Sequence, residues 1–402
     1  MALCGLVSGT LVARLLGPDG RGRLAALTLW PVALGFVLSL GIERTVVFFG
    51  AKRRDELSAV AGAALVFAVA HSFIVAALGF CTIPHLLRGY GRNTVAWSLI
   101  YLLYVPLTHA VILPAALLLG TLRTRHFNIC RVIPGALYAL GTVCLYVLHV
   151  ASIGVIVSVQ IIGCLVAAAV ANYMLAQVVR PAWVWQWGTL GNMLNYGSRT
   201  HIGQLSSYMN QRLDQLLLTL FLKGPDVGIY VAAVAFAEAL AVIPRAIGTV
   251  TLAQGSNTDR AGASRWVRRS VVASSLYLLP AVILLWFLSP YVIPGLLGPA
   301  FAPAVGPCRI LSLGACASGL ATVLYEAARS INRPEIASYA ELLGLVIMVA
   351  LLTILLKPYG VIGAALASTA ASISALAFTV AFAFLRGNVG LFRATRALPA
   401  QE

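Results

Sequence analysis

Along almost the whole of this chain, apolar runs of roughly membrane-spanning length follow one another, separated only by short polar or Gly/Pro breaks. Crossing about 30 Å of hydrocarbon at 1.5 Å per residue takes roughly 20 apolar residues in a helix. A soluble fold has no use for such a succession. Composition agrees, since 60% of the residues are hydrophobic and 10% charged, with a mean hydropathy of +0.92, outside the range of soluble domains. About twelve such helices with short turns would consume nearly all 402 residues, which leaves no room for a separate soluble domain.

The breaks predict spans at 2–16, 24–49, 57–81, 95–120, 129–151 and 153–179, then at 202–222, 227–252, 271–297, 305–328, 336–356 and 361–385. The first run lacks a basic leader and ends in a Gly-Pro turn, so it reads as a short spanning helix rather than a cleavable signal. This organisation predicts an N-terminal six-helix lobe at 1–180, a connector at 181–197, a C-terminal six-helix lobe at 198–386 and a cytoplasmic tail at 387–402. Trp183, Trp185 and Trp187 in the connector favour the bilayer interface. The seven cysteines are scattered through apolar runs and read as small core residues, with no metal-ligand spacing.

The 28 Lys and Arg against 12 Asp and Glu give a net charge of +16, and their placement points to topology rather than nucleic acid. Alternate connections carry 17 basic residues, among them Lys52, Arg123, Arg125, Arg131, Arg199, Arg265, Arg268 and Arg333, whereas the opposite connections carry seven, from Arg14 to Lys357. The positive-inside rule assigns the richer face, and with it both termini, to the cytoplasm.

The two halves also repeat. Gly17-Pro18-Asp19 recurs as Gly224-Pro225-Asp226, Ile83-Pro84-His85-Leu86-Leu87 as Ile293-Pro294-Gly295-Leu296-Leu297, and Arg125 as Arg333, at offsets of 207, 210 and 208 residues. An even number of helices per half gives parallel repeats related by an axis along the membrane normal, enclosing a central cavity.

A charge at the bilayer centre costs about 2.5–3.5 kcal/mol on insertion scales, so charges within the spans carry the functional signal. They are Arg14, Arg44, Arg212, Arg245 and Arg309 with Glu43, Asp214, Glu238, Glu326 and Glu341. Snorkelling to the interface explains Arg309 and competes with a cavity role for Arg14 and Arg44. Glu238 and Arg245, seven residues apart, are expected on one face of one helix. The seventh span is the most polar: Thr200, Gln204, Ser207, Gln211 and Asp214 repeat at helical spacing, and His201, Tyr208, Asn210 and Arg212 widen the stripe. Two readings stay open for it, interhelical hydrogen bonding or the lining of a hydrophilic conduit. Arginine keeps its charge when desolvated and binds phosphate bidentately, so a cationic cavity implies an anionic substrate. The other histidines (His71, His85, His109, His126, His149) read as isolated, and nothing suggests catalysis, a metal site or a cofactor.

The motif Arg14-Leu15-Leu16-Gly17-Pro18-Asp19-Gly20-Arg21-Gly22 resembles the opening of polysaccharide biosynthesis proteins, oligosaccharide-lipid flippases of the multidrug/oligosaccharidyl-lipid/polysaccharide exporter superfamily. The likeness continues through Arg212-Leu213-Asp214-Gln215, Gly228-Ile229-Tyr230 and Lys357-Pro358-Tyr359-Gly360, and so covers nearly the entire chain. It implies a V-shaped pair of six-helix lobes in the bacterial cytoplasmic membrane. It further implies that a polyprenyl-diphosphate-linked glycan moves from the inner to the outer leaflet by alternating access, without enzymatic chemistry. On that implication Arg14, Arg44, Arg212 and Arg245 would meet the diphosphate or sugar acid groups, and Gln204, Tyr208 and Gln211 the sugar hydroxyls. Asp214 and Glu238 would couple transport to an ion or to the membrane potential. Membrane lipids and cell-envelope glycan assembly proteins are the other partners. Competing readings are a cation-coupled multidrug antiporter of the same superfamily and a membrane glycan polymerase or ligase, which would need a larger outer loop.

Overall fold

The computed structural model describes residues 2–52, 56–179, 187–256, 258, 260–330 and 333–385, and every regular element among them is helical. In chain order they are α1 (Ala2–Leu38), α2 (Ile42–Lys52), α3 (Leu57–Leu86), α4 (Arg92–Tyr101), α5 (Tyr104–Gly120), α6 (Thr124–Val147) and α7 (Ile153–Ala176). There follow α8 (Trp187–Phe221), α9 (Gly224–Leu240), α10 (Val242–Ser256), α11 (Arg260–Leu297), α12 (Val305–Ser330) and α13 (Glu335–Leu385). Trp183 and Trp185 of the expected connector, and the tail 387–402, fall outside the described residues.

Eight stretches among the described residues are long and apolar enough to cross a membrane, and the bent pair α9–α10 makes a ninth. The protein is therefore a multi-pass, all-helical membrane protein. The count differs from the expected twelve for physical reasons. Helix α1 contains the first expected span and the larger part of the second, and α13 contains the last two, folded at Gly17 (φ 64°) and Gly360 (φ 51°), left-handed conformations that glycine adopts without steric penalty. Helix α8 is long enough but too polar to be counted by hydropathy. With α1 and α13 divided at these glycines and α8 added to the nine, the twelve crossings are recovered.

Three expected spans are interrupted. The second breaks at Leu40 and Gly41, both at positive φ. The fourth divides into α4 and α5, and the eighth into α9 and α10 with a bend of 41°. Proline explains the last two: the ring of Pro106 is incompatible with a helical carbonyl at Leu102, and that of Pro244 with one at Leu240. As a consequence Glu238 and Arg245 lie on two helices, α9 and α10, rather than on the one helix expected.

The chain forms two compact units. Unit 1 comprises residues 1–205, 215–228 and 296–298, and unit 2 residues 206–214, 229–295 and 299–402. In unit 1, Ile42, Val46, Phe49, Val60, Phe67, Leu113, Leu117 and Met193 form one core, and Val12, Leu24, Leu27, Tyr101, Leu145 and Ile156 another. Unit 2 is built on α12, whose buried Gly314, Ala315, Ala317, Gly319 and Ala321 permit close backbone approach where hydrocarbon solvent supplies little hydrophobic drive.

The repeated Gly-Pro-Asp segments meet inside unit 1. A Cβ on Gly22 would lie 1.8 Å from the Gly224 carbonyl oxygen, and one on Gly228 would lie 1.9 Å from the Pro18 oxygen. Only glycine fits this backbone seam. Beside it the Tyr90 hydroxyl donates to the Leu222 carbonyl at 3.4 Å. Burial, then the Asp19 and Asp226 carboxylates, push the Tyr90 phenol up to about 12, so it stays a donor at neutral pH. The second repeated motif also keeps its role: Ile83 and Leu87 are fully buried, as are Ile293 and, nearly so, Leu297.

Candidate functional site: a charged face in unit 2

Helix α8 supplies the polar stripe read from the sequence, and its 206–214 segment in unit 2 carries the charges. Arg212 Nη1 lies 3.6 Å from Glu238 Oε1 on α9, with side chains 34% and 35% exposed. A fully formed charge-assisted contact would be about 2.7–2.9 Å, so this pairing is loose and leaves most of the five guanidinium N–H donors for another acceptor. The sequence reading named both residues but placed Glu238 on one helical face with Arg245 and gave Arg212 no partner. The real partner comes from the neighbouring helix, which spacing within one helix cannot reveal.

Two residues further along, Asp214 is buried (3% exposed) and accepts a hydrogen bond from the hydroxyl of Tyr230, itself fully buried. Asn210 donates to both the backbone carbonyl and the carboxylate of Glu341 on α13. Tyr208 is half-buried on the same segment. Gln211 is exposed, its amide bonded back to Ser207. Arg245, at the start of α10, is exposed. Arg309, also in this unit, donates to the Trp286 carbonyl at 2.9 Å and lies over the Trp286 ring, a local partnership that accounts for its charge.

The remaining expected residues fall in unit 1. Arg14 donates through Nε to the Leu296 carbonyl at 2.5 Å and through Nη1 to the Tyr146 hydroxyl at 3.4 Å. Leu296 belongs to the last turn of α11, just before Gly298 at φ 107°, where carbonyls lack intrahelical partners and a cation is favourable. Arg44 is exposed on α2. His201 contacts the Val37 carbonyl at 3.0 Å, and Gln204 donates to Thr200 at 3.3 Å. The α8 stripe is thus engaged in helix-to-helix hydrogen bonds at some positions and exposed at others.

Sequence reasoning missed one cluster altogether. His71 and His109, expected to be isolated, are hydrogen-bonded to each other at 2.8 Å, and His71 also contacts the Gly35 carbonyl at 3.1 Å. Their 38-residue separation places them on antiparallel neighbours, α3 and α5, and no local spacing signals such a pair.

Residues 11–306 match the family model described as polysaccharide biosynthesis protein. No curated protein matches the sequence. Among solved structures, the lipid II flippase MurJ in an inward closed conformation aligns at TM-score 0.78 and 16% identity, covering 94% of this chain and 84% of that one. An inward-facing multidrug resistance MATE family transporter of the MOP superfamily aligns at TM-score 0.78 and 16% identity, over 96% and 94% of the two chains. A MOP superfamily transporter from Pyrococcus furiosus with a binding pocket of reversed polarity aligns at TM-score 0.63 and 14% identity, over 96% and 91%. At these identities the likeness establishes the fold.

Proposed function

Since the chain belongs to the polysaccharide biosynthesis protein family, we propose that it moves a polyprenyl-diphosphate-linked oligosaccharide across the cytoplasmic membrane by alternating access, without covalent chemistry. The observation that carries this reading is the loose pair between Arg212 on the polar helix α8 and Glu238 on α9. A charge-satisfied guanidinium would have no capacity for a ligand, and an unpaired one would be costly between transport cycles. Glu238 holds Arg212 at intermediate cost, and a diphosphate, with more acceptor oxygens and more charge, displaces it.

In this scheme Arg245 and, secondarily, Arg14 and Arg44 contact diphosphate or sugar acid groups. Tyr208, Gln204 and Gln211 contact sugar hydroxyls. Glu238, released from Arg212 by the ligand, and the buried Asp214 are the carboxylates that link transport to an ion or to the membrane potential, which is worth about 2.3 kcal/mol per charge per 100 mV. The basic-residue asymmetry supports cytoplasmic termini, and the partners are the lipid-linked glycan, membrane lipids and glycan assembly proteins of the envelope.

A second reading, a cation-coupled multidrug antiporter, is favoured by one observation, the carboxylates within unit 2, among them Asp214, Glu238 and Glu341. The deciding experiment reconstitutes the protein in liposomes with a polyprenyl-diphosphate oligosaccharide and follows its transfer between leaflets. Protein-dependent transfer that is lost in Arg212→Ala and weakened in Arg245→Ala is expected. Transfer that persists in both variants would overturn the site, and absence of transfer alongside ion-driven export of organic cations would establish the antiporter.

A further inference from the structure

Unit 1 contains a trough of about 830 Å³ between α3, α4, α5 and α7, near the upper end of the roughly 300–1,000 Å³ usual for small-molecule sites. Its wall is hydrocarbon, with Ala64, Ala68, Leu103 and Leu117 along it and Phe73 and Phe80 at its exposed side. The helices that form it belong to spans of mean hydropathy 2.0 to 2.5, so the trough faces the bilayer interior. Ser72, His109 and Asn172 are its polar lining residues.

The hydrogen bonds fix what those three groups can offer. A carbonyl only accepts, so His71 Nε2 must carry the proton it gives to the Gly35 oxygen. In a neutral ring His71 Nδ1 is then an acceptor, and His109 Nε2 must donate to it. His109 Nδ1 is therefore left as a bare lone pair. Asn172 uses its amide NH₂ on the carbonyls of Ala110 and Ala168, both at 2.8 Å, which leaves its Oδ1 without a donor. Ser72 gives its hydroxyl proton to the Ala68 carbonyl at 2.6 Å. Among the described residues none of these three acceptors has a further partner. The trough presents acceptors only.

This arrangement discriminates between lipids. A phosphate would meet lone pairs and no donor. An ammonium would meet no counter-charge close to the centre of α3, where His71 lies and where a charge is costly. A plain alkane would leave both acceptors, the half-buried His109 Nδ1 and the exposed Asn172 Oδ1, without a donor in hydrocarbon. We propose that the trough is a binding site for a neutral lipid alcohol, whose chain lies along the alanine wall and whose hydroxyl donates to His109 Nδ1 or Asn172 Oδ1. The site uses none of the residues assigned to glycan transport and stands or falls separately from that function.

The test is photolabelling of the full chain in phospholipid nanodiscs with a diazirine-bearing long-chain alcohol, in competition with the unlabelled alcohol, its phosphate ester and the corresponding alkane. Labelling of α3, α5 or α7 peptides is expected, with the alcohol competing at least about tenfold better than either analogue. Ala68→Trp, which fills the trough, should reduce labelling about fivefold or more, with folding checked by thermal unfolding. His109→Leu should weaken it about fivefold, the effect of one lost hydrogen bond. His109→Gln, which keeps a donor towards His71 and an acceptor towards the trough, should retain most of it. Labelling confined to other helices, equal competition by the phosphate ester, or undiminished labelling of a folded Ala68→Trp protein would each overturn the proposal. Competition on the unmodified chain decides the matter even if Ala68→Trp does not fold.

Discussion

The histidine trough of unit 1 and the charged face of unit 2 treat polar side chains within the bilayer in opposite ways. In unit 1, His71, His109, Asn172 and Ser72 are neutral, and each directs its protons to a protein acceptor. In unit 2, Arg212, Glu238, Asp214 and Glu341 are ionisable, and only some reach full partnership: Asp214 is buried against Tyr230, while Arg212 and Glu238 remain a third exposed. Neutral polar groups can be satisfied by carbonyls already present on neighbouring helices. A guanidinium or carboxylate needs a counter-charge or water, and where the protein supplies it incompletely a ligand can take its place. The difference separates a region suited to uncharged lipid from one suited to an exchangeable anion.

The strongest way to break this comparison is to remove the partner of the best-satisfied charge. Tyr230→Phe takes a charge-assisted hydrogen bond from Asp214 in a fully buried setting, and a loss of about 1.5–3 kcal/mol is expected. Thermal or denaturant unfolding in detergent would measure it. Asn172→Leu in unit 1 removes one neutral interhelical contact and should cost less, about 0.6 kcal/mol by the average for such bonds and under about 1.7. If Asn172→Leu proves the more damaging of the two, the distinction between charged and neutral regions is wrong.

Much of the architecture was legible in the sequence because it rests on local rules. Apolar run length gave the crossings, and Gly17, Gly360, Pro106 and Pro244 are punctuation whose φ preference or missing N–H acts within a few residues. The Gly-Pro-Asp repeats were visible as a duplication. Their physical purpose, a backbone seam that excludes any Cβ at Gly22 and Gly228, depends on a contact some 200 residues away in sequence and leaves no local trace. The same limit explains the site. Periodicity displayed the polar face of α8, but the partners Glu238, Tyr230 and Glu341 lie on other helices. Helical spacing instead suggested one helix carrying Glu238 and Arg245 on a common face, and the proline-induced break divides that helix in two. His71 and His109 were overlooked because two single histidines on separate apolar runs look alike whether they touch or not.

The smallest effect on stability and the most informative effect on function should come from Glu238→Gln. The loose 3.6 Å pair is about one-third exposed, and pairs of that kind contribute between 0 and about 1 kcal/mol, so unfolding should barely change. Removing the carboxylate takes away the group with which an anionic ligand must compete for Arg212. Binding of a polyprenyl-diphosphate probe to the purified protein should therefore tighten, while the rate of leaflet-to-leaflet transfer falls because release is no longer assisted. Tight binding with slow transfer would identify Glu238 as the internal competitor. Weaker binding would mean that it positions the guanidinium for the ligand instead, and the opposition between the neutral trough of unit 1 and an exchangeable charged face in unit 2 would have to be redrawn around Arg245.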